Sequence, residues 1–83
     1  MKVLICGYSK GEFTPEGAKT PIEYFSLYVL EPFEKGGSDG YFCRRAKMTK
    51  GAYDAITDIF TGDITSCNVT VDFSGRVTSV TGG

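Results

Sequence analysis

Apolar and polar positions alternate along most of this chain, and the alternation predicts five strands and one helix. From Lys2 to Tyr8 the residues Val3, Leu4, Ile5 and Cys6 form a short continuous apolar run, the mark of a buried strand. The stretch Lys10 to Pro21 contains two prolines, two glycines and both charge signs, which predicts a surface loop or a loose β-arm. Phe13 sits in that stretch without apolar periodicity around it; it either folds back as a lid on the core or stays exposed for contact. Ile22 to Glu31 is rich in Tyr, Phe, Val and Leu, side chains that suit a pleated surface. Its alternation sends Phe25, Leu27 and Val29 to one face and Tyr24, Ser26 and Tyr28 to the other.

Pro32 stops that strand, and the glycine-rich segment 34–40 is made of turn formers. Tyr41 to Met48 then reads as a third strand, antiparallel to the second. Strict alternation would group Arg44 with Phe42, Ala46 and Met48, and Arg45 with Tyr41, Cys43 and Lys47. Because a lone arginine is rarely buried, a bulge near Arg44 and Arg45 is expected, turning both cations outward.

Thr49 is a suitable N-cap, and Ala52, Ile56, Ile59 and Phe60 recur at helical spacing, which predicts a helix over about Lys50 to Phe60 with Gly62 as its stop. Ile64 to Phe73 alternates again, with Cys67, Val69, Val71 and Phe73 on the core side. Ser74 and Gly75 form a hairpin turn, and Arg76 to Val80 is the last strand. Three strands, a helix and two strands is the order of a mainly β, five-stranded OB-like barrel, with its one short helix between strands 3 and 4. At 83 residues the chain 1–83 is one such domain with a small core.

Composition changes this picture little. The chain is 41% hydrophobic and 23% charged, which is ordinary for a folded domain. No apolar run is long enough for a signal peptide or a membrane span, so a cytoplasmic protein without a membrane partner is expected. Cys6, Cys43 and Cys67 are far apart, without the spacing of a disulfide framework or a zinc site, and read as small buried hydrophobes in a reducing compartment. Histidine is absent and the acids are scattered, so no acid-base pair or nucleophile with its base can be assembled. The glycine-rich pieces match no nucleotide-binding pattern. Neither an enzyme, nor a cofactor or metal site, nor a small-molecule substrate is expected.

The distribution of charge is more telling than its sum of -1. Arg44, Arg45, Lys47 and Lys50 fall between Tyr41 and Ala52 with no acid among them. Aromatic rings beside cations on a strand are what a protein uses to stack bases while neutralising phosphates. In an OB-like barrel the ligand face is centred on strands 2 and 3, which here carry Tyr24, Tyr28, Tyr41, Arg45 and Lys47. Other uses of the same residues stay open. The tyrosines suit cross-strand packing, and the cations suit a solvated edge that resists aggregation. Arg76 is free to meet a phosphate or to pair with Asp72, and an exposed aromatic β-edge also suits a protein-interaction or oligomerisation module.

The opening strand to Cys6, the arm from Lys10 to Pro21 leading into Glu23-Tyr24-Phe25-Ser26-Leu27, and the closing segment Val71-Asp72-Phe73-Ser74-Gly75-Arg76-Val77 together resemble the gene-five-type helix-destabilising proteins of phages and mobile elements. The resemblance implies an OB-fold that coats single-stranded DNA without sequence preference, usually as a symmetric homodimer; RNA is not distinguished. By position, Lys10 and Lys19 on the arm, Tyr24 and Tyr28 on the second strand, and Tyr41, Arg44 and Arg45 on the third would take the binding role, with Lys47 beside them.

Overall fold

A computed structural model of the chain describes residues 2–34 and 36–82. Its elements are β1 (Lys2–Phe13), β2 (Ile22–Pro32), β3 (Tyr41–Met48), α1 (Lys50–Ile59), β4 (Thr65–Val71) and β5 (Val77–Gly82). The strands close into an OB-like barrel in the order β1-β2-β3-β5-β4, with β4 returning to β1. All pairings are antiparallel except β3 with β5, which meet in parallel at Met48 and Val77.

The core gathers one residue parity from each of β1 to β4, and in β5 an irregularity beside Thr78 lets Val77 and Val80 both turn inward. Ile5, Leu27, Val29, Met48, Cys67, Val69, Val77 and Val80 point inward, and Ala52 and Ile56 of α1 plug one end of the barrel. The helix forms where its cap and stripe predict: the Thr49 hydroxyl accepts from the Ala52 N–H at 3.2 Å, and the Phe60 N–H closes the last turn on the Ile56 carbonyl at 2.8 Å. Tyr53 adds an aromatic layer over this end, with its ring 4.8 Å from that of Phe25 and 5.5 Å from that of Tyr8.

Four expectations are corrected. β1 does not end at Tyr8; it runs on to Phe13, pairing with β2 as far as Phe13 opposite Ile22, so of the two expectations for the stretch from Lys10 the β-arm holds for its first part. The bulge falls in β1 between Ile5 and Gly7, whereas the β2–β3 register is unbroken from Phe25–Met48 to Pro32–Tyr41. Arg44 therefore keeps the inward parity. Its side chain nonetheless stays about half exposed and lies 2.8 Å from Glu31. Phe73 is fully exposed because β4 ends at Val71 and the chain leaves the barrel before it, and Val71 is partly exposed at the register shift that ends the β4–β5 ladder. Finally, only Cys67 is a buried cysteine; Cys6 is half-buried and Cys43 exposed.

The core is small enough that single truncations matter. Ile56 has no exposed surface, and Ile56→Ala should cost about 2–5 kcal/mol, a large share of the stability of a domain this size. Urea unfolding followed by circular dichroism measures it.

Candidate functional site

The outer face of β1, β2 and β3 is assembled by register. Gly7, Ser9, Gly11 and Phe13 lie opposite Tyr28, Ser26, Tyr24 and Ile22. On the other side, Ser26 and Tyr28 lie opposite Lys47 and Arg45. Directly opposed residues share a face, so a row of small residues, a row of tyrosines and a row of cations run side by side.

The small row lets the tyrosines lean away from the cations. Tyr24 lies over Gly11 so closely that a Cβ at that position would meet its ring. The Tyr28 hydroxyl reaches the Ser9 hydroxyl at 3.4 Å, and Phe13 extends the aromatic row with its ring 6.1 Å from that of Tyr24. Phe13 is thus exposed at the arm rather than folded over the core.

Beyond this row the face opens into a groove of about 810 Å³. Tyr24, Phe25, Ser26 and Met48 line it along the strands, Phe13 and Ile22 at the arm, Thr49 and Lys50 at the start of α1, and Arg76 from the β4–β5 turn. Arg45, Lys47, Lys50 and Arg76 are its cations, and Glu23 is its acid. Lys50 has Asp54 at 3.4 Å, an exposed pair within one helical turn and so a weak one. Arg45, Lys47 and Arg76 stand in no ion pair among the described residues.

Arg76 is left free by what Asp72 does instead. The Asp72 carboxylate accepts from the Ser74 hydroxyl at 2.7 Å, the Ser74 N–H at 2.9 Å and the Arg76 N–H at 3.0 Å. The Ser74 hydroxyl, then the Arg76 N–H, with the Ser74 N–H and the Arg76 charge behind them, hold the carboxyl below its ordinary pKa. Gly75 supplies the positive φ of 85° that the turn needs. The carboxylate is engaged in the turn, and the turn presents the guanidinium to the groove.

Among the residues expected to bind, the structure brings Tyr24, Tyr28, Arg45 and Lys47 together and separates the rest. Lys10 has the opposite parity and lies over the Tyr53 ring, 5.9 Å from its centre. Lys19 is exposed in the β1–β2 turn. Tyr41 lies at the far end of β3, beside a smaller depression of about 330 Å³ with Leu4, Leu30 and Pro32. Arg44 is on the other side of the sheet with Glu31. Three groove residues that the proposed contacts would use, Phe13, Lys50 and Arg76, lay outside the expected set. Lys50 was legible as part of the cation cluster and Phe13 as an aromatic open to contact, whereas the choice left open for Arg76 between a phosphate and Asp72 turns on Asp72 anchoring the turn.

No family model, curated protein or solved structure matches this chain. The site is therefore argued from its own geometry. Among the described residues no three of His, Cys, Asp and Glu are grouped to hold a metal ion, and no helix is long and apolar enough to cross a membrane.

Gly11 offers a direct handle on the aromatic row. Gly11→Ala should displace the Tyr24 ring while leaving the fold intact, because that ring is half exposed and free to swing. The expected outcome is a melting temperature close to that of the parent with a changed Tyr24 ring environment, read from the tyrosine ring signals in NMR spectra.

Proposed function

We propose that this barrel binds single-stranded DNA without catalysis and without sequence preference, with bases stacking along Tyr24 and Phe13 and phosphates meeting Arg45, Lys47, Lys50 and Arg76. The observation that carries the reading is the placement of exposed aromatic rings beside a groove lined by four cations and one acid. Ring faces are useful only to bases that are not already stacked in a duplex, which favours a single strand. Stacking tolerates any base, which favours indifference to sequence. The OB-like topology adds support by analogy, since strands 2 and 3 and the β4–β5 turn are where such barrels take oligonucleotides. The working form in this reading is a homodimer. β3 pairs with β5 only through Met48, so among the described residues most of its outer edge has no neighbouring strand.

That open edge also favours a second reading, a protein-interaction module that accepts a partner strand. The exposed Phe33 and Phe42, with ring centres 5.3 Å apart at the end of the β2–β3 hairpin, suit it too. Salt separates the two, because contacts to phosphates weaken steeply as salt rises and apolar strand addition does not.

Titration of labelled oligo(dT) at low salt, read by fluorescence anisotropy, tests the proposal; absence of binding sinks it and leaves the second reading. Arg45→Ala combined with Lys47→Ala should lower affinity and flatten the salt dependence by about 0.7 in log–log slope for each phosphate no longer neutralised. Tyr24→Ala should remove about 1–3 kcal/mol, one stacked base, and leave that slope unchanged.

A further inference from the structure

Away from the groove, the outer face carries a pair of thiols that the nucleic-acid reading does not use. Cys6 and Cys43 hold their sulfurs 3.7 Å apart although β2 runs between their strands. The β1 bulge explains how they meet. Cys6 is the extra residue between Ile5 and Gly7, and its thiol leans over β2 to within 3.6 Å of the Tyr28 carbonyl. Cys43, opposite Leu30 on the other side of β2, meets it there.

The two sulfurs are in contact and stop short of a bond. A disulfide holds its sulfurs about 2.05 Å apart, so each has to shift by only about 0.8 Å. The bulge leaves room for that shift. β1 pairs with β4 as far as Ile5 and resumes its pairing with β2 at Gly7, so Cys6 belongs to neither register and its backbone can adjust without giving up a ladder partner. Cys43 is exposed and Cys6 half-buried, so a reagent in solvent reaches the pair, whereas Cys67 is sealed in the core.

We propose that Cys6 and Cys43 are a dithiol that closes to an intramolecular disulfide in the folded chain, with low-molecular-weight disulfides of the glutathione class as oxidant. The Cys43 thiolate attacks one sulfur of the small disulfide, whose own bond breaks, and the first small thiolate leaves with the Cys43 proton. The Cys6 sulfur then attacks the Cys43 sulfur of the mixed disulfide, and the second small thiolate leaves with the Cys6 proton. Two protein thiols are oxidised and one small disulfide is reduced to two thiols. Exposure sets the order, and the Cys6 proton agrees with it: burial first, then the hydrogen bond and charge of Cys43, raise the Cys6 pKa, which suits Cys6 to the second step. The bond ties β1 to β3 across β2 and closes a loop that the unfolded chain must also carry, so the oxidised chain resists unfolding better than the reduced one. The inference stands on the thiols alone and is independent of whether the groove binds DNA.

The test is incubation of the reduced full chain, under native conditions, with graded ratios of oxidised to reduced glutathione, followed by acid quench, alkylation and mass spectrometry. The expected result is a monomer lighter by two hydrogens, a Cys6–Cys43 cross-linked peptide, a free Cys67, and a melting temperature several degrees above that of the reduced chain. Cys6→Ser should stop at a glutathione adduct on Cys43, and Cys43→Ser should form no bond within the chain, while both keep the circular dichroism of the parent. A parent chain that yields only glutathione adducts or cross-linked dimers, a bond to Cys67, closure only after unfolding in urea, or an oxidised chain that melts no higher than the reduced one overturns the proposal.

Discussion

The barrel closes at one contact, and the candidate site exists because of where that contact falls. Met48 of β3 meets Val77 of β5, and the Thr49 N–H continues the seam by donating to the Val77 carbonyl at 3.0 Å. Both side chains are buried, so their apolar burial fixes the seam between the β2–β3 and β4–β5 hairpins, whose other sides are joined through β1. Each is flanked in sequence by cations: Lys47 before Met48, Lys50 just after it, and Arg76 before Val77. Seating the apolar pair therefore gathers charges from a strand, a helix start and a turn into one neighbourhood. Thr49, lying between them, caps α1 and so sets the direction in which the helix carries Ala52 and Ile56 into the core.

Parity then decides which charges serve the groove. An unbroken β2–β3 ladder sends Arg45 and Lys47 outward and Arg44 inward, so three cations within four residues belong to two different surfaces. The inward one stays about half exposed and has Glu31 within reach. On the neighbouring strand the same period gives Lys10 to Tyr53 and Gly11 to Tyr24. The glycine is what allows an aromatic ring to lie on the sheet there, since any side chain would occupy the ring's place.

Much of this was legible along the chain. The bounds of β3, the Thr49 cap, the helix stripe and the order of elements follow from local chemistry, and local chemistry is what a linear reading contains. The misreadings share a different cause. Arg44 suggested a bulge because its partner Glu31 comes from the preceding strand, and the actual bulge at Cys6 left no mark in an apolar run where every residue suits a strand. Phe73 continued the alternation of β4 on paper, but alternation records which side of the backbone a residue takes, not whether the barrel still extends past it. Cys43 reads as a small buried hydrophobe by residue type, whereas its parity puts it on the outer face with Arg45 and Lys47. Arg76 depended on Asp72 engaging its carboxylate in the turn, which is a matter of geometry rather than composition.

The formal charge of -1 does not prevent a local surplus of cations, because the groove lining itself holds Arg45, Lys47, Lys50 and Arg76 against Glu23. Asp54 and Asp58 are exposed on α1, Glu12 and Glu23 oppose one another on the arm, and Asp72 is held in its turn. At physiological salt the field of an exposed charge decays over about 8 Å, whereas the molecule is 48 Å in its longest dimension. A ligand in the groove therefore meets Arg45, Lys47, Lys50 and Arg76 in the lining, offset by Glu23 there, by Asp54 at 3.4 Å from Lys50 and by Asp72 in the turn beside Arg76. Net charge describes solubility and long-range approach in dilute salt; the sign of the field at the site is set by which residues the Met48–Val77 closure brings together.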